Sequence, residues 1–468
     1  MARSTGFLPR ICLGRVVSSG QRAQPASGNV IMVLAPFGAV LLLASGPAPS
    51  ILDSADATTT ARAAPPAAPV GLAEAARAEK DQVRRTQIEW RNGSPVLVSP
   101  DGGTTFRLLG QAIVDTTGTS GARVASRNTR NTDFRTAHLG FAGTVANRFF
   151  YQLETEFVGG RADILWAYAG VRGKLGAGVT GDVIAGNLQN DRGIEGSSGG
   201  EALPFVEANF VASAIAPDRG GFALGAQARL TGARWHASFA VTGNDIDVRQ
   251  AQSGNRTLLA RAHWNPIKGP AATLHLGAWM FDESFRGGTR TLGLGGNVAH
   301  GLNARTVLPM PVLTGVTGDR GVGVEAGGVF GRFWVMGEAG RRSVDLPRGE
   351  ARSDAKSLSA GWFVNAGAFP YAAATGGIGR PVVKRSVFQG GAGPVELTAR
   401  YQELIVRTPG ARGVGTTLTG GVNWYLSSMM RVMANVSAWR LNPANTPGSI
   451  GPRTDRGTTW VLRAQFVF

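Results

Sequence analysis

The residues with the clearest chemistry in this 468-residue chain are its arginines. Lysine and arginine number 48 against 31 acidic residues, a formal net charge of +17, and only five of the 48 are lysine. A guanidinium is always charged and can hold a phosphate through two parallel hydrogen bonds. Lys174 is a weaker candidate because it lies near a strand end. Eight arginines fall on the polar face of alternating segments, where they could attract small anions: Arg107, Arg135, Arg229, Arg234, Arg261, Arg400, Arg431 and Arg463.

A purely structural interpretation of the same arginines stays open. Each could pair with an acidic residue on the same face and do no more than hold neighbouring segments together. The acidic residues available for this are Glu154, Glu156, Glu325, Glu338 and Glu396. A shift of one residue in strand register would also turn every arginine to the opposite face.

Other chemistry finds little support. The histidines are not spaced as HxH or HxxxH, and Cys12 is the only cysteine, so we expect no metal site. The glycine-rich stretch "GGTRTLGLGG" joins no strand to a helix, and "GSSGG" lacks the spacing of a nucleophile elbow. We therefore expect no catalytic residues, no cofactor and no enzymatic activity.

The charge does not favour a nucleic-acid partner either. The basic residues are spread along the whole chain without a block, and aromatic and basic residues lie on opposite faces of the segments that carry them. A nucleic-acid binder usually combines both on one surface.

The elements that position these arginines show a period of two from about Thr105 onward. In 148–158, Phe149, Leu153 and Phe157 share one face, whereas Gln152 and Glu154 share the other. Similar alternation runs through 222–230, 256–264, 394–402, 430–438 and the last eleven residues. These segments have about ten residues, enough for a tilted strand to cross a bilayer core. We count 14 to 16 such strands.

Short turns and long loops separate the strands. The turn 143–148 is short, whereas 189–220 and 371–393 are long and rich in Gly, Ser and Pro. One face of each strand is apolar and the other carries charge, and aromatic residues gather near strand ends. A soluble sandwich would need its strand edges covered, whereas closure satisfies every backbone group. We therefore predict an all-β, transmembrane antiparallel β-barrel of about 16 strands over 101–468.

The N-terminal region has a different composition. Residues 1–56 combine four arginines, an apolar run at 30–45 and small residues, the pattern of a signal peptide and its cleavage zone. Residues 57–100 read as a linker, in which 71–90 is either a short amphipathic helix or a solvated spacer.

The long segment 189–220 is the candidate constriction loop. Its glycines allow a fold inside the barrel, although an ordinary external loop is the alternative. Placed inside, it would bring these side chains to the narrowest point: Arg192, Glu195, Ser197, Ser198, Glu201 and Glu207.

Several segments carry a family resemblance. They are "IAGNLQNDRGIEGSSGGEALPFVEANF" (184–210), "LHLGAW" (274–279), "GPVELTARYQELIV" (393–406), "GGVNWYLSSMMRVMANV" (420–436) and the terminal "RAQFVF". Together they resemble the phosphate-selective porin O/P family of Gram-negative outer membranes, over roughly 100–468. The resemblance implies a 16-stranded trimeric porin with a basic, anion-favouring pore. The chain departs from the family in having few lysines, on which the family's phosphate site also relies, and in Val395, a frequent Trp position.

The function expected is passive, anion-preferring diffusion of small solutes, including phosphate or polyphosphate, through an Arg-lined pore. We expect export through the periplasm to the outer membrane, with lipid, small anions and two further copies of the chain as partners, and no nucleic acid. Two alternatives stay open: a non-selective general porin, and a structural or anchoring barrel with a blocked lumen.

Overall fold

The computed structural model describes residues 86–91, 94–218, 221–244, 246, 255–285, 290–444 and 454–468. The predicted signal peptide and most of the predicted linker lie outside the described residues. The strands are β1 (Gln87–Arg91), β2 (Ser94–Val98), β3 (Thr105–Ser120), β4 (Arg130–Val145), β5 (Phe149–Glu156), β6 (Asp163–Gly176), β7 (Val179–Gln189), β8 (Phe222–Thr231), β9 (Trp235–Thr242), β10 (Arg256–Trp264), β11 (Ala272–Ser284), β12 (Arg290–Gly293), β13 (Val312–Val316), β14 (Gly318–Phe330), β15 (Phe333–Asp345), β16 (Glu350–Phe363), β17 (Tyr371–Ala372), β18 (Gly377–Ile378), β19 (Val395–Thr408), β20 (Ala411–Tyr425), β21 (Met430–Ala444) and β22 (Asp455–Val467).

Sixteen of these strands form a closed antiparallel barrel, as the alternation predicts. Each pairs with the next, and β22 pairs with β3 to close the sheet, with Val461 opposite Thr117. The short pairs β12–β13 and β17–β18 form separate ribbons. Closure leaves no unpaired edge, which is what lets a sheet span hydrocarbon.

The barrel is apolar outside and polar inside. On β19, Glu396, Arg400 and Gln402 are buried inward, whereas Leu397 and Tyr401 face outward and are 42% and 43% exposed. The pleat of a strand sends successive side chains to opposite faces, so one strand serves both environments. The outward apolar residues need lipid to cover them.

The two ends of the barrel differ. We call turn end the one that holds Phe468 and the short turns 146–148, 177–178 and 232–234, and loop end the opposite one. One long connection departs from the predicted alternation, because 364–394 joins β16 to β19 at the turn end.

Three long connections bury apolar side chains inside the barrel, and we call them the inner segments. The first (190–218) buries Ile194 and Phe210, the second (290–317) buries Leu308, and the third (364–394) buries Phe369 and Ile378. The first and second enter from the loop end, the third from the turn end. Their side chains pack against inward residues of the barrel strands, so they lie within the lumen.

Helical structure is short. The α-helix Phe210–Ala214 begins after Asn209, whose side chain accepts a hydrogen bond from the Ala212 backbone at 2.8 Å. No helix among the described residues has the length and apolar character to cross a bilayer. The 3₁₀ turns are Ala125–Arg127, Gly200–Ala202, Ala304–Thr306 and Val387–Gln389.

The end of the predicted linker is a strand and not a helix. Residues 87–91 form β1, which pairs with β2, and β2 continues onto the start of β3 through Val96 and Arg107. Ile88 lies opposite Leu97 on one face, so the local pattern alternates and fits a hairpin better than a helix. The remainder of 71–90 lies outside the described residues.

Candidate pore and its two walls

Arg261 points into the lumen, as the alternation predicts, and is fully paired. Its Nε and Nη2 donate to the two carboxylate oxygens of Glu325 at 2.8 and 3.0 Å, and its Nη1 donates to Asp191 at 2.8 Å. It also donates to the backbone carbonyls of Thr375 and Gly376. This one side chain therefore ties strand β10 to the first and third inner segments.

Arg400 has the same role on β19. It forms an ion pair with Glu195, donates to the Glu207 carbonyl at 2.8 Å and to the Ser359 hydroxyl at 3.0 Å. Its guanidinium carbon lies 3.9 Å from the centre of the Phe205 ring. Since Glu195, Phe205 and Glu207 belong to the first inner segment, Arg400 fixes that segment to the wall.

Arg431 holds the same segment through its backbone. Its Nη1 donates to the Leu203 carbonyl at 2.9 Å and its Nη2 to the Glu201 carbonyl at 2.7 Å. Nη2 also donates to Gln465 at 2.8 Å. The side chain is only 4% exposed, so it offers little surface to a solute.

Arg463 lies at the seam where the barrel closes. Its Nε and Nη2 donate to the two oxygens of Asp115 on β3, both at 2.7 Å. His300 of the second inner segment also contacts Asp115, at 3.0 Å. For Arg261, Arg400, Arg431 and Arg463 the structural interpretation therefore holds: they face inward and bind the protein itself.

Arg135 faces the lumen, and its side chain is partly exposed. Its Nη2 lies 3.5 Å from a carboxylate oxygen of Glu207, whose other oxygen accepts from the Gly301 backbone at 2.9 Å. Burial opposes ionisation of Glu207, yet Arg135 and His300 outweigh it and hold its pKa below the usual value. Arg135 therefore links β4 to the first inner segment.

Arg192 is buried within the first inner segment. Its guanidinium donates to the carbonyls of Ala212 at 2.6 Å and Ile215 at 2.9 Å, at the end of the short helix. Burial lowers the pKa of Arg192 to about 10. It supports the segment's fold and does not face the open lumen.

The remaining predicted loop residues are also engaged. Glu195 accepts from the Asn209 backbone at 2.7 Å, Ser197 donates to Asp191 at 2.8 Å, and Ser198 donates to the Ile194 carbonyl at 2.6 Å. Burial raises the pKa of Glu201. The segment lies inside the barrel, but most of its predicted polar groups hold it in place.

The inward face of the barrel divides into two walls. Inward residues of β9–β22 are mostly buried beneath the inner segments, and we call this the covered wall. Along β4–β8 and the start of β3 many inward residues remain partly exposed, although Ile184, Ala223 and Gln227 are buried, and we call this the open wall. Water and solutes can reach the protein along the open wall.

The open wall carries accessible cations. Arg107 is exposed on the inward face of β3, close enough to Tyr168 and Arg380 to interact with them electrostatically. Lys174 is exposed on the inward face of β6, and Arg229 is half-buried with one hydrogen bond to Gln227 at 2.9 Å. Among the described residues, no ion pair holds these three side chains.

Apart from Asp133, which is exposed on the inward face of β4, the acidic residues of the open wall are paired. His138 contacts Glu154 at 3.0 Å and Glu156 at 2.9 Å. Arg172 forms a two-point ion pair with Asp182, with both hydrogen bonds at 2.8 Å. Among the described residues, three unpaired cations therefore face one unpaired carboxylate on this wall, so its unpaired charge is positive on balance.

A cavity of about 180 Å³ lies between the open wall and the first inner segment. Trp166 and Tyr168 line it from β6, Arg229 from β8, and Asn190 and Ser197 from the segment. Aromatic, amide and guanidinium groups thus meet where the segment faces the open wall.

One predicted pore residue is placed wrongly. Arg234 lies in the turn between β8 and β9, is exposed, and its Nη1 is 3.5 Å from the Pro266 carbonyl. The alternation of β8 ends at Thr231, so the period of two cannot be extended to Arg234. Arg234 belongs to the turn end and not to the lumen wall.

Sequence reasoning missed the acids that anchor the inner segments. The sequence pattern points to neither Asp115 nor Asp191 as an anchor, and to Glu338 only as a general partner of the arginines. In the structure, Glu338 accepts from the Ile194 backbone at 2.7 Å and from the Asn209 side chain. Asp115 and Thr117, two residues apart, share the inward face of β3, and this spacing is visible in the sequence. No group of three or more His, Cys, Asp or Glu in the described part of the chain is arranged to hold a metal ion.

Comparison with known proteins agrees with this architecture. A model of the family described as phosphate-selective porin O and P matches residues 106–468. A search of curated proteins found no match. The in-vitro folded outer membrane protein OmpT of Vibrio cholerae, in its trimer form, is similar with a TM-score of 0.51 and 12% identity, covering 78% of this chain and 100% of that chain.

Two further solved structures cover a comparable share of the chain. The anion-selective porin of Comamonas acidovorans gives a TM-score of 0.45 and 13% identity, covering 78% of this chain and 100% of that one. The outer membrane channel DcaP of Acinetobacter baumannii gives 0.46 and 10%, covering 79% and 98%. The family model, spanning nearly the whole barrel, decides the assignment: the chain belongs to the phosphate-selective porin O and P family and is a porin of the Gram-negative outer membrane.

Proposed function

We propose that this porin lets small solutes diffuse passively along its open wall and prefers anions. The single observation that carries the proposal is the charge of that wall: Arg107, Lys174 and Arg229 have no ion pair among the described residues, whereas His138 and Arg172 hold all of the nearby carboxylates except Asp133. Basic groups lining a pore raise the local anion concentration and repel cations.

We further propose that phosphate is one of the anions that bind in the pore. Arg229 is placed beside Trp166 and Tyr168 in the 180 Å³ cavity, and a guanidinium suits a phosphate oxygen pair. Since the buried arginines are already bonded to protein, we assign phosphate binding to Arg229 and Arg107 and not to Arg400 or Arg431. Polyphosphate would contact the same groups in succession.

We also propose a homotrimer in the outer membrane, exported with the predicted signal peptide. The trimer form of OmpT from Vibrio cholerae, which shares the fold, supports this assembly. Outer-membrane lipid would then cover the outward face that is left outside the trimer contacts.

Single-channel recording in a planar bilayer tests anion preference. In asymmetric KCl we expect the reversal potential to lie nearer the equilibrium potential of chloride than that of potassium. We also expect millimolar phosphate to block the chloride current. The variant Arg107→Gln/Arg229→Gln should reduce the chloride-to-potassium permeability ratio by about twofold or more, because two accessible charges leave the wall.

The matched control is Arg440→Gln, which removes one exposed arginine from the outward face of β21 and should leave the ratio unchanged. Cation preference in the native protein would contradict the proposal and indicate a general porin. Absence of conductance would indicate that the inner segments block the lumen and that the barrel serves as an anchor.

A further inference from the structure

The outward face of the barrel carries a row of three arginines at the loop end. Arg352 on β16 lies directly opposite Arg407 on β19, and Arg407 lies directly opposite Arg412 on β20. All three side chains are exposed. Like charges directly opposite each other across strands are destabilising unless something of opposite charge lies between them.

The acidic residues nearby do not neutralise this row. Arg352 pairs with Glu350 at 2.6 Å, and Arg407 pairs with Asp354 at 2.5 Å, but Asp354 is shared with Arg341 at 2.7 Å. Among the described residues, Arg412 has no hydrogen-bonding or ion-pair partner. The row therefore keeps an excess of positive charge on the outside of the barrel.

With the loop end facing outward, as the longer loops of outer-membrane barrels do, the row lies at the height of the outer-leaflet head groups. On β20, Trp424 lies among the aromatic residues at the turn end of the barrel. Arg412 lies twelve residues before it, at the loop end of the same strand. At the usual strand rise and tilt this separation is about 30 Å along the membrane normal, slightly more than the apolar band of about 25 Å.

A groove of about 1140 Å³ on the outward face begins next to the row, at Asp354 on β16 and Ile405 on β19, and runs across β15, β14, β11 and β10. Alanines such as Ala260, Ala278 and Ala339 contribute its floor, with bulkier Met280 and Val322 beside them. Arg341, Asp354, Lys356 and Glu403 line the end of the groove nearest the row and pair with one another, and Ile405 leads along β19 to Arg407. An apolar channel that ends next to the excess positive charge of the row suits a lipid acyl chain beside its phosphorylated head group.

We propose that this surface, the arginine row with the adjoining groove, binds a phosphorylated lipid of the outer leaflet. The lipid phosphates lie against Arg352, Arg407 and Arg412, and one acyl chain lies in the alanine-lined groove. Two observations support lipid over a second copy of the chain. The first is that the excess positive charge of the row favours an anionic partner. The second is that the adjoining outward face of β21 and β22, with Arg440 opposite Arg456, offers no negative charge to a row on another copy.

Native mass spectrometry of the full-length barrel in detergent tests this proposal, with diphosphoryl lipid A as the probe. We expect the native protein to retain the lipid through dissociation from the micelle. The variant Arg352→Gln/Arg407→Gln/Arg412→Gln should bind it at least about tenfold more weakly, since each basic residue near an anionic lipid surface contributes to attraction. A groove-filling variant, Ala278→Phe, should weaken binding while leaving all charges in place.

Arg440→Gln/Arg456→Gln is the matched control, because it removes an equivalent opposed pair away from the groove. Equal loss of lipid in this control would overturn the proposal and indicate general surface charge. Undiminished lipid binding by the triple variant would overturn it as well. Full displacement of the lipid by millimolar inorganic phosphate would identify a free-phosphate site, and a change in oligomer mass would identify a subunit contact. Heat-modifiable gel migration verifies that each variant is folded.

Discussion

Single side chains in this lumen divide into those that hold the protein and those that meet the solute. Arg463 is the clearest of the first kind, because its two-point pair with Asp115 joins the last barrel strand to the first. Arg107 is the clearest of the second kind, since it is inward, exposed and unpaired among the described residues. Residue type and face are the same in both cases, and only the partner differs.

Removal of Arg463 should weaken the closure of the barrel. Arg463→Gln leaves Asp115 buried with His300 as its remaining ionisable partner, and breaking one side of a buried pair costs about 3–5 kcal/mol. We expect a lower temperature for the shift in heat-modifiable gel migration. The double variant Asp115→Asn/Arg463→Gln should recover part of the loss, and equal melting of both variants would contradict this account.

At the scale of elements, the inner segments depend on a few ionised contacts. Asp191 accepts from His236 at 3.0 Å, Ser238 at 2.7 Å and Arg261 at 2.8 Å. Burial opposes its ionisation, but Arg261 and His236 outweigh burial and hold its pKa well below the usual 3.8. A carboxylate with a lowered folded-state pKa contributes stability that is complete above its unfolded pKa and is lost as the pH falls.

Acid should therefore loosen the first inner segment. We expect channel conductance to increase as the pH is lowered below about 4, because hydrogen bonds to charged Asp191 contribute about 1.5–3 kcal/mol each. Asp191→Asn should show the larger conductance already at pH 7. Asp101→Asn, which removes an exposed carboxylate from the turn between β2 and β3, serves as the control, and an unchanged Asp191→Asn channel would contradict the role of this contact.

The sequence could predict the strands and the faces of their side chains, because a period of two follows directly from the pleat. Arg261, Arg400, Arg431 and Arg463 are inward for that reason. Their partners could not be predicted, since Glu195 reaches Arg400 only after the first inner segment has folded into the lumen, 205 residues away along the chain. The period of two predicts wrongly that Arg234 faces the lumen, because the alternation ends with β8 at Thr231.

At the scale of the whole molecule, the lumen is asymmetric. The covered wall is shielded by the inner segments, and the open wall from β3 to β8 faces water. The division follows from connection lengths, because the long second and third inner segments both lie in the second half of the chain. The sequence alone does not predict which wall each inner segment covers.

Cysteine accessibility should report this asymmetry. In a Cys12→Ser background, Gln152→Cys on the open wall should react with a membrane-impermeant methanethiosulfonate reagent and reduce the current. Thr417→Cys, on the covered wall at 2% exposure, should react far more slowly because the second inner segment lies over it. Similar rates at both positions would contradict the two-wall description.

The division between walls also bears on how such a channel can evolve. Substitutions of accessible open-wall residues such as Arg107 and Arg229 would alter what passes through the barrel without disturbing the contacts that keep it folded, whereas substitutions under the inner segments would change stability first. Transport preference can therefore drift in one half of the chain while the other half stays under selection for assembly. Related porins adapted to different nutrients should then differ most on one side of a common scaffold.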